Sequence, residues 1–170
     1  MSIPVIFRVL IVTLSDRAFR GDYKDLSGPR AEERLTRFFA VQNWKCTIER
    51  SVIPDDAESF RSLLEKSAGN HDLLFTTGGT GIGPRDITVD TVKPLLDKEI
   101  PGIMEYIRVR YGTEKPNALL SRGVAGIRGN TLIYTLPGSL KAVDEYLDEI
   151  EKSLAHAIFM LHGEDIHDKH

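Results

Sequence analysis

The 170-residue chain contains a single cysteine, Cys46, no apolar run long enough to span a bilayer, and no excess of positive charge. A lone cysteine cannot form a disulfide framework within the chain, and at this length burial of about 70% of the extended chain's surface makes neither disulfides nor a structural metal necessary. The opening segment Ile3-Pro4-Val5-Ile6-Phe7 is apolar, but Arg8 interrupts it and Thr13, Ser15, Asp16 and Arg17 follow. This reads as neither a membrane span nor an export signal, and the expectation is a cytoplasmic protein. Twenty-two lysines and arginines against 25 aspartates and glutamates give a formal net charge of −3, which offers nucleic acid no overall attraction. No repeat or low-complexity tract interrupts the chain, and no Walker G-x-x-x-x-G-K-S/T or dinucleotide G-x-G-x-x-G sequence is present.

What is present is a strand-then-helix alternation. Residues 5–14 are rich in Val, Ile and Leu without strict alternation, as expected of a central strand covered on both faces. Ser27-Gly28-Pro29 starts a helix whose apolar face is Ala31, Leu35, Phe38 and Phe39, with proline tolerated in the first turn. Residues 45–53 read as a second strand, ended by Pro54 and Asp55-Asp56 before a helix carrying Phe60, Leu63, Leu64 and Ala68. Residues 72–77 form a third strand, followed by a glycine-rich run and a short helical pattern through Val89, Val92, Leu95 and Leu96. Pro101-Gly102 opens another helix. Residues 123–127 and 131–136 flank Arg128-Gly129-Asn130 as a tight hairpin, which introduces one antiparallel strand. A last helix follows Pro137-Gly138-Ser139, with Val143, Tyr146, Leu147, Ile150 and Leu154 on one face. The pattern predicts an α/β chain with a three-layer α/β/α architecture, a mostly parallel sheet, one domain over residues 1–163 and a polar tail over 164–170.

In such a sheet the strand-to-helix loops meet at one edge, so Ser15-Asp16, Asp55-Asp56, residues 78–86 and Pro137-Gly138-Ser139 are expected to converge. Gly78, Gly79, Thr80 and Gly81 read either as a sharp turn or as a cradle in which unhindered amides approach an anion. Asp86 reads as a cap for the next helix, with Thr88 competing, or as a metal- or phosphate-associated carboxylate; Asp55 beside Asp56 poses the same choice. Ser15, Asp16 and Ser139 carry capping and ligand readings alike. Arg17, Arg20, Lys24, Arg30 and Arg85 are candidates to counter phosphate charge, while Tyr106, Tyr111 and Tyr134 are candidates for stacking or plain packing. Asp25 to Ser27 reads as a polar surface loop, Cys46 as an inert buried thiol, and His162, His167 and His170 as part of a solvated tail.

Several stretches then carry a resemblance over almost the entire chain. Thr13-Leu14-Ser15-Asp16-Arg17, Ile53-Pro54-Asp55-Asp56, Thr76-Thr77-Gly78-Gly79-Thr80-Gly81 with Arg85-Asp86-Ile87-Thr88, Leu120-Ser121-Arg122 and Leu136-Pro137-Gly138-Ser139 together resemble the Mog/MoaB molybdenum-cofactor biosynthesis family. The Arg85 to Thr88 stretch is similar to its adenylyltransferase branch. The resemblance implies a molybdopterin-binding domain that transfers AMP from ATP to the terminal phosphate of molybdopterin and releases pyrophosphate. It implies Asp55 and Asp86 as catalytic, Mg²⁺-associated residues, and Ser15, Asp16, Gly78, Gly79, Thr80, Gly81, Ser121, Pro137, Gly138 and Ser139 as the substrate pocket. It also implies a homotrimer and transient contact with the molybdate-inserting enzyme. A MoaB-like pterin-binding protein without adenylyl transfer is the alternative. The chain departs from common family forms at Val89-Asp90, where Pro-Glu often stands, which shortens an acidic side chain beside the expected metal centre.

Overall fold

The computed structural model describes residues 2–164, so the expected tail with His167 and His170 lies, apart from Glu164, outside the described residues. A six-stranded sheet has the order β2-β1-β3-β6-β5-β4, formed by β1 (Ile6–Leu14), β2 (Lys45–Ile53), β3 (Leu73–Thr77), β4 (Lys98–Glu99), β5 (Ala125–Arg128) and β6 (Thr131–Leu136). Strands β2, β1, β3 and β6 pair in parallel, and β5 runs antiparallel to both of its neighbours. The hairpin across Arg128 to Thr131 is therefore where the sequence places it. The two-residue edge strand β4 carries too little pattern to be read from sequence.

Strand alternation divides the core into two layers. Phe7, Val9 and Ile11 of β1, Phe75 of β3 and Tyr134 of β6 face α2 (Ser27–Val41), α5 (Pro101–Gly112) and α6 (Leu140–Leu161). Leu10, Val12 and Leu14 of β1, Leu74 of β3 and Ile133 of β6 face α3 (Ala57–Ser67) and α4 (Thr88–Val92). Both faces of the central strands are covered, which is why their sequences lack a polar alternate. On the first face the buried Arg34 of α2 reaches Asp144 at 3.0 Å, Asp148 at 2.7 Å and Glu151 at 3.2 Å, fastening α2 to α6. Among the described residues no helix is long and apolar enough to cross a membrane.

The strand order places the topological switch between β1 and β3. The chain leaves β1 through α2 toward β2 on one side and later enters β3 on the other, so the loops after these adjacent strands part and leave a crevice. A short helix α1 (Asp16–Phe19), too brief to show a periodic pattern, occupies the start of the first loop.

Candidate active site

Two cavities open at the carboxyl edge of the parallel strands, and Gly79 and Asp86 line both. The smaller, about 380 Å³, is lined by Ser15, Asp16, Arg17, Arg20, Asp55 and Arg85 in addition to the shared pair. The larger, about 650 Å³, brings Thr80, Gly81, Ser121, Pro137, Gly138 and Ser139 together with Tyr111 and Tyr146 and the cations Arg108, Lys115 and Lys141. The convergence expected from the parallel sheet thus holds for all four loops. Gly78 is the one expected pocket residue that lines neither cavity. Its φ of +94° and the 2.5 Å separation between an added Cβ and Leu14 O show that it lets the loop turn tightly against β1.

Close packing fixes the glycine run. Gly78 N donates to Leu136 O at 2.9 Å, joining the ends of β3 and β6, and a Cβ on Gly138 would sit 3.3 Å from Gly78 Cα. Thr88 holds the far end of the turn, donating its hydroxyl to Gly78 O at 2.8 Å and its amide to Gly79 O at 3.1 Å. Among the described residues the amides of Gly79, Thr80, Gly81 and Ile82 find no protein acceptor. Four successive uncommitted donors beside a cavity form a concavity suited to anionic oxygen.

The carboxylates differ in how they are held. Asp86 accepts from Gly83 N at 2.7 Å and lies so close beneath the loop that a Cβ on Gly81 would meet it at 2.7 Å. It does not cap α4, and neither does the Thr88 side chain; the N-cap position is Ile87, without a side-chain bond. The capping expectation fails because the turn draws both side chains back onto its own backbone. Capping of α3 falls to Asp56, which accepts from Ser59 N at 2.8 Å. That leaves Asp55 to bridge two loops: it accepts from Asp16 N at 3.1 Å, while its own amide donates to Asp16 Oδ1 at 3.0 Å. The other Asp16 oxygen is ion-paired with Arg85. Burial, and then the negative charge of Asp86, push the Asp55 carboxyl above the usual aspartate range. Ser15 caps α1 through Ala18 N at 3.2 Å and Ser139 caps α6 through Ala142 N at 3.2 Å, so both cap and still line a cavity.

Ser121 is held from three sides. Its hydroxyl accepts from Tyr146 at 2.9 Å, its carbonyl is reached by Arg108, and the 3₁₀ turn over Pro116–Leu120 delivers it to the cavity. Tyr146 reads in sequence only as a helix core position, and nothing in the spacing singles out Lys115 or Lys141 or shows that the chain folds back over α6 here. Of the cations singled out from sequence, Arg17, Arg20 and Arg85 line the smaller cavity, whereas Arg30 is engaged by Glu33 and Asp144 and Lys24 lies outside both. Of the tyrosines, Tyr111 reaches the larger cavity and Tyr134 stacks in the core on Phe75, with ring centroids 5.2 Å apart.

Asp25 is more than a surface-loop residue. Its carboxylate accepts from Thr13 Oγ1 at 2.8 Å and from the amides of Ser27 and Gly28, both at 3.1 Å, and Ser27 Oγ contacts Thr77 Oγ1 at 2.8 Å. This network anchors the start of α2 under the ends of β1 and β3. The Asp-x-Ser-Gly spacing carries the signal, since a carboxylate two residues before a helix can take its first amides.

The profile of the family described as "Probable molybdopterin binding domain" matches residues 10–156. The Drosophila melanogaster molybdenum cofactor synthesis protein cinnamon is 37% identical over 158 residues, or 92% of this chain; the match spans only 26% of that longer protein. The molybdopterin adenylyltransferase of Pyrococcus furiosus is 34% identical over 165 residues and 91% of each chain. Among solved structures, the molybdopterin biosynthesis enzyme MoaB of Thermus thermophilus is 38% identical with a TM-score of 0.79, covering 93% of this chain and 98% of its own. With a match that runs from β1 into α6 and includes every loop of the two cavities, the chain belongs to the Mog/MoaB molybdopterin-binding family.

Proposed function

We propose that the chain transfers the adenylyl group of ATP to the terminal phosphate of molybdopterin, as an enzyme of molybdenum cofactor biosynthesis acting in the cytoplasm. The observation that carries this reading is the shared wall: two cavities of different character meet at Gly79 and Asp86. The larger, with Tyr111, Leu120 and Tyr146 beside cations, suits a heterocycle whose phosphate rests on the uncommitted amides of the glycine run. The smaller, with three guanidinium groups and three carboxylates, suits a metal-bound polyphosphate. A phosphate oxygen of the pterin attacks the α-phosphorus of ATP, the bond from that phosphorus to the bridging oxygen breaks, and pyrophosphate leaves with the electron pair. The nucleophile is already anionic at neutral pH, so no histidine base is needed; alignment and charge neutralisation supply the rate.

The donor set is compatible with Mg²⁺. Asp55 and Asp86 interact electrostatically across one cavity, and a cation between them would relieve the repulsion that, after burial, raises the Asp55 carboxyl. No cluster of three ligating side chains occurs among the described residues, which suits a metal held by one or two carboxylates with substrate phosphates and water completing its shell. Bound there, Mg²⁺ would neutralise charge on the phosphates. A homotrimer belongs to the same reading, with Tyr106 and Val109 of α5 offering exposed apolar surface.

Anaerobic incubation with molybdopterin, Mg²⁺ and labelled ATP should give adenylylated molybdopterin, identified by mass, together with pyrophosphate. Asp86→Asn keeps the side-chain volume and an acceptor for Gly83 N, so it should melt within about 2 °C of the wild type while transfer falls roughly 100-fold or more. Molybdopterin binding without any adenylylated product would assign the chain to the MoaB-like alternative.

A further inference from the structure

The glycine run has a second support, on the side away from the ligand. Arg122 lines neither cavity, yet it donates to three carbonyls of the loop: its amide to Thr80 O at 2.8 Å, Nε to Gly81 O at 2.8 Å and Nη2 to Asp86 O at 3.1 Å. Its guanidinium also grips the Asp90 carboxylate in a fork, Nη1 to Oδ1 at 2.9 Å and Nη2 to Oδ2 at 3.0 Å. Asp90 sits in the first turn of α4, so the fork ties the guanidinium to the helix that follows the loop. In a trans peptide the carbonyl and the next amide point in opposite directions. Drawing the carbonyls of Thr80 and Gly81 toward Arg122 therefore turns the amides of Gly81 and Ile82 away from it. These two amides are among the donors without a protein acceptor, and both residues line the larger cavity.

We propose that Arg122, locked in place by Asp90, is a positioning residue that sets the peptide planes of residues 80–82, so that the Gly81 and Ile82 amides are presented to a phosphate group before it arrives. This deepens the proposed function and rests on its reading of the loop as an anion cradle. The same guanidinium fixes the Asp86 carbonyl, so one side chain governs both the phosphate-receiving amides and the backbone that carries the shared carboxylate. The geometry also gives the short acid at position 90 a purpose. A planar fork needs both carboxylate oxygens at one distance and angle, which a lysine at position 122 could not reproduce.

The test is titration of the ¹⁵N-labelled full chain with inorganic pyrophosphate, which reads the loop without relying on turnover. In the wild type the amide resonances of Gly81 and Ile82 should shift on binding. Arg122→Lys should weaken pyrophosphate binding roughly tenfold and reduce those two shifts, because the charge remains while the fork is lost. Asp90→Asn should weaken it by a few-fold, and Asp90→Glu, which keeps the charge but moves the carboxylate out by one methylene, should recover only part of the loss. In transfer assays the Arg122→Lys defect should fall on KM for the pterin phosphate as well as on kcat. The Asp90 side chain is 69% exposed, so Asp90→Asn carries the test if Arg122→Lys does not fold. Wild-type affinity and shifts in both Arg122→Lys and Asp90→Asn would overturn the proposal. Absence of pyrophosphate binding at the loop in the wild type would remove the anion cradle and this inference with it. Binding at the loop without adenylyl transfer would remove only the adenylyltransferase reading and leave the role of Arg122 standing.

Discussion

A third cavity, of about 730 Å³, lies at the opposite edge of the sheet from the candidate active site. It opens where the parallel strands begin and is lined by Arg8, His71, Asp72, Asp97, Arg128 and His162 among others. Backbone donors along its rim are taken up by side chains and strand carbonyls. Arg8 N donates to Asp72 Oδ2 at 2.7 Å, Asp72 N to Arg8 O at 2.8 Å, Gly129 N to Asp97 Oδ2 at 2.6 Å and Asp97 N to Ile127 O at 2.8 Å. At the carboxyl edge the amides of residues 79–82 have no such partners. Volume at either edge follows from how helices and hairpins pack against the sheet. Capacity for an anion follows from which backbone groups the fold leaves uncommitted, and only one edge has them in a row.

Glycine substitution gives the sharpest way to break this comparison. Gly69, at the amino edge, and Gly78, at the carboxyl edge, both have left-handed backbones, with φ of +82° and +94°. An added Cβ meets nothing within 4 Å at Gly69, whereas at Gly78 it would lie 2.5 Å from Leu14 O on the central strand. Gly69→Ala should therefore cost about 1 kcal/mol, and Gly78→Ala about 3 kcal/mol or more, because the clashing atom is sheet backbone that cannot yield. For a domain of this size the melting temperatures should fall by roughly 3 °C and roughly 10 °C. Equal losses in thermal unfolding would show that the loop at the carboxyl edge is no more tightly packed than the turn at the other.

The sequence discloses the carboxyl edge far better than the amino edge, and the reason is physical. Central strands announce themselves through runs rich in apolar residues without strict alternation, and the punctuation after them, Ser15-Asp16, Pro54-Asp55-Asp56, Gly78 to Gly81 and Pro137-Gly138-Ser139, marks where chain direction changes. Parallel topology then brings those marks together without further information. What stays hidden depends on which way a side chain turns. Asp86 and Thr88 carry good capping chemistry but fold back onto the turn, Asp25 ties α2 to two strands, and Arg122 stands behind the loop it supports. Position along the chain does not encode these orientations. The two-residue β4 and four-residue α1 are too short for any period to show.

The charge at the carboxyl edge offers a second, smaller test. Because the Asp55 carboxyl is raised in the folded protein, the folded state holds that proton more tightly than the unfolded chain does. Its contribution to stability is therefore greatest below the unfolded aspartate value of about 3.9 and is lost as pH rises through the higher folded value. At neutral pH the ionised group opposes folding. Asp55→Asn, which retains an acceptor for Asp16 N, should melt about 1–2 °C above the wild type at pH 7, with the difference closing toward pH 4. Adenylyl transfer by the same variant should fall. A lower melting temperature at pH 7 would mean that the carboxylate is held by more favourable contacts than its two neighbours at this edge suggest.

The smallest effect is expected at the amino edge, from Arg128→Ala. Among the described residues the guanidinium of Arg128 has its Nη1 buried without a hydrogen-bond partner, and no ion pair engages it. Removing it eliminates an uncompensated buried donor, which offsets the packing lost with the aliphatic stem. Thermal unfolding should therefore move by only about 1 °C, and pyrophosphate affinity should stay within about twofold of the wild type. The substitution discriminates because it removes a cation from the cavity at the amino edge while leaving every donor of the glycine run in place. If unpaired charge in a large cavity were enough to bind a phosphate, Arg128→Ala would weaken pyrophosphate binding as strongly as Arg122→Lys. A tenfold loss would place an anion site at the amino edge and undo the distinction between the two ends; an unchanged affinity would tie binding to the uncommitted amides after β3.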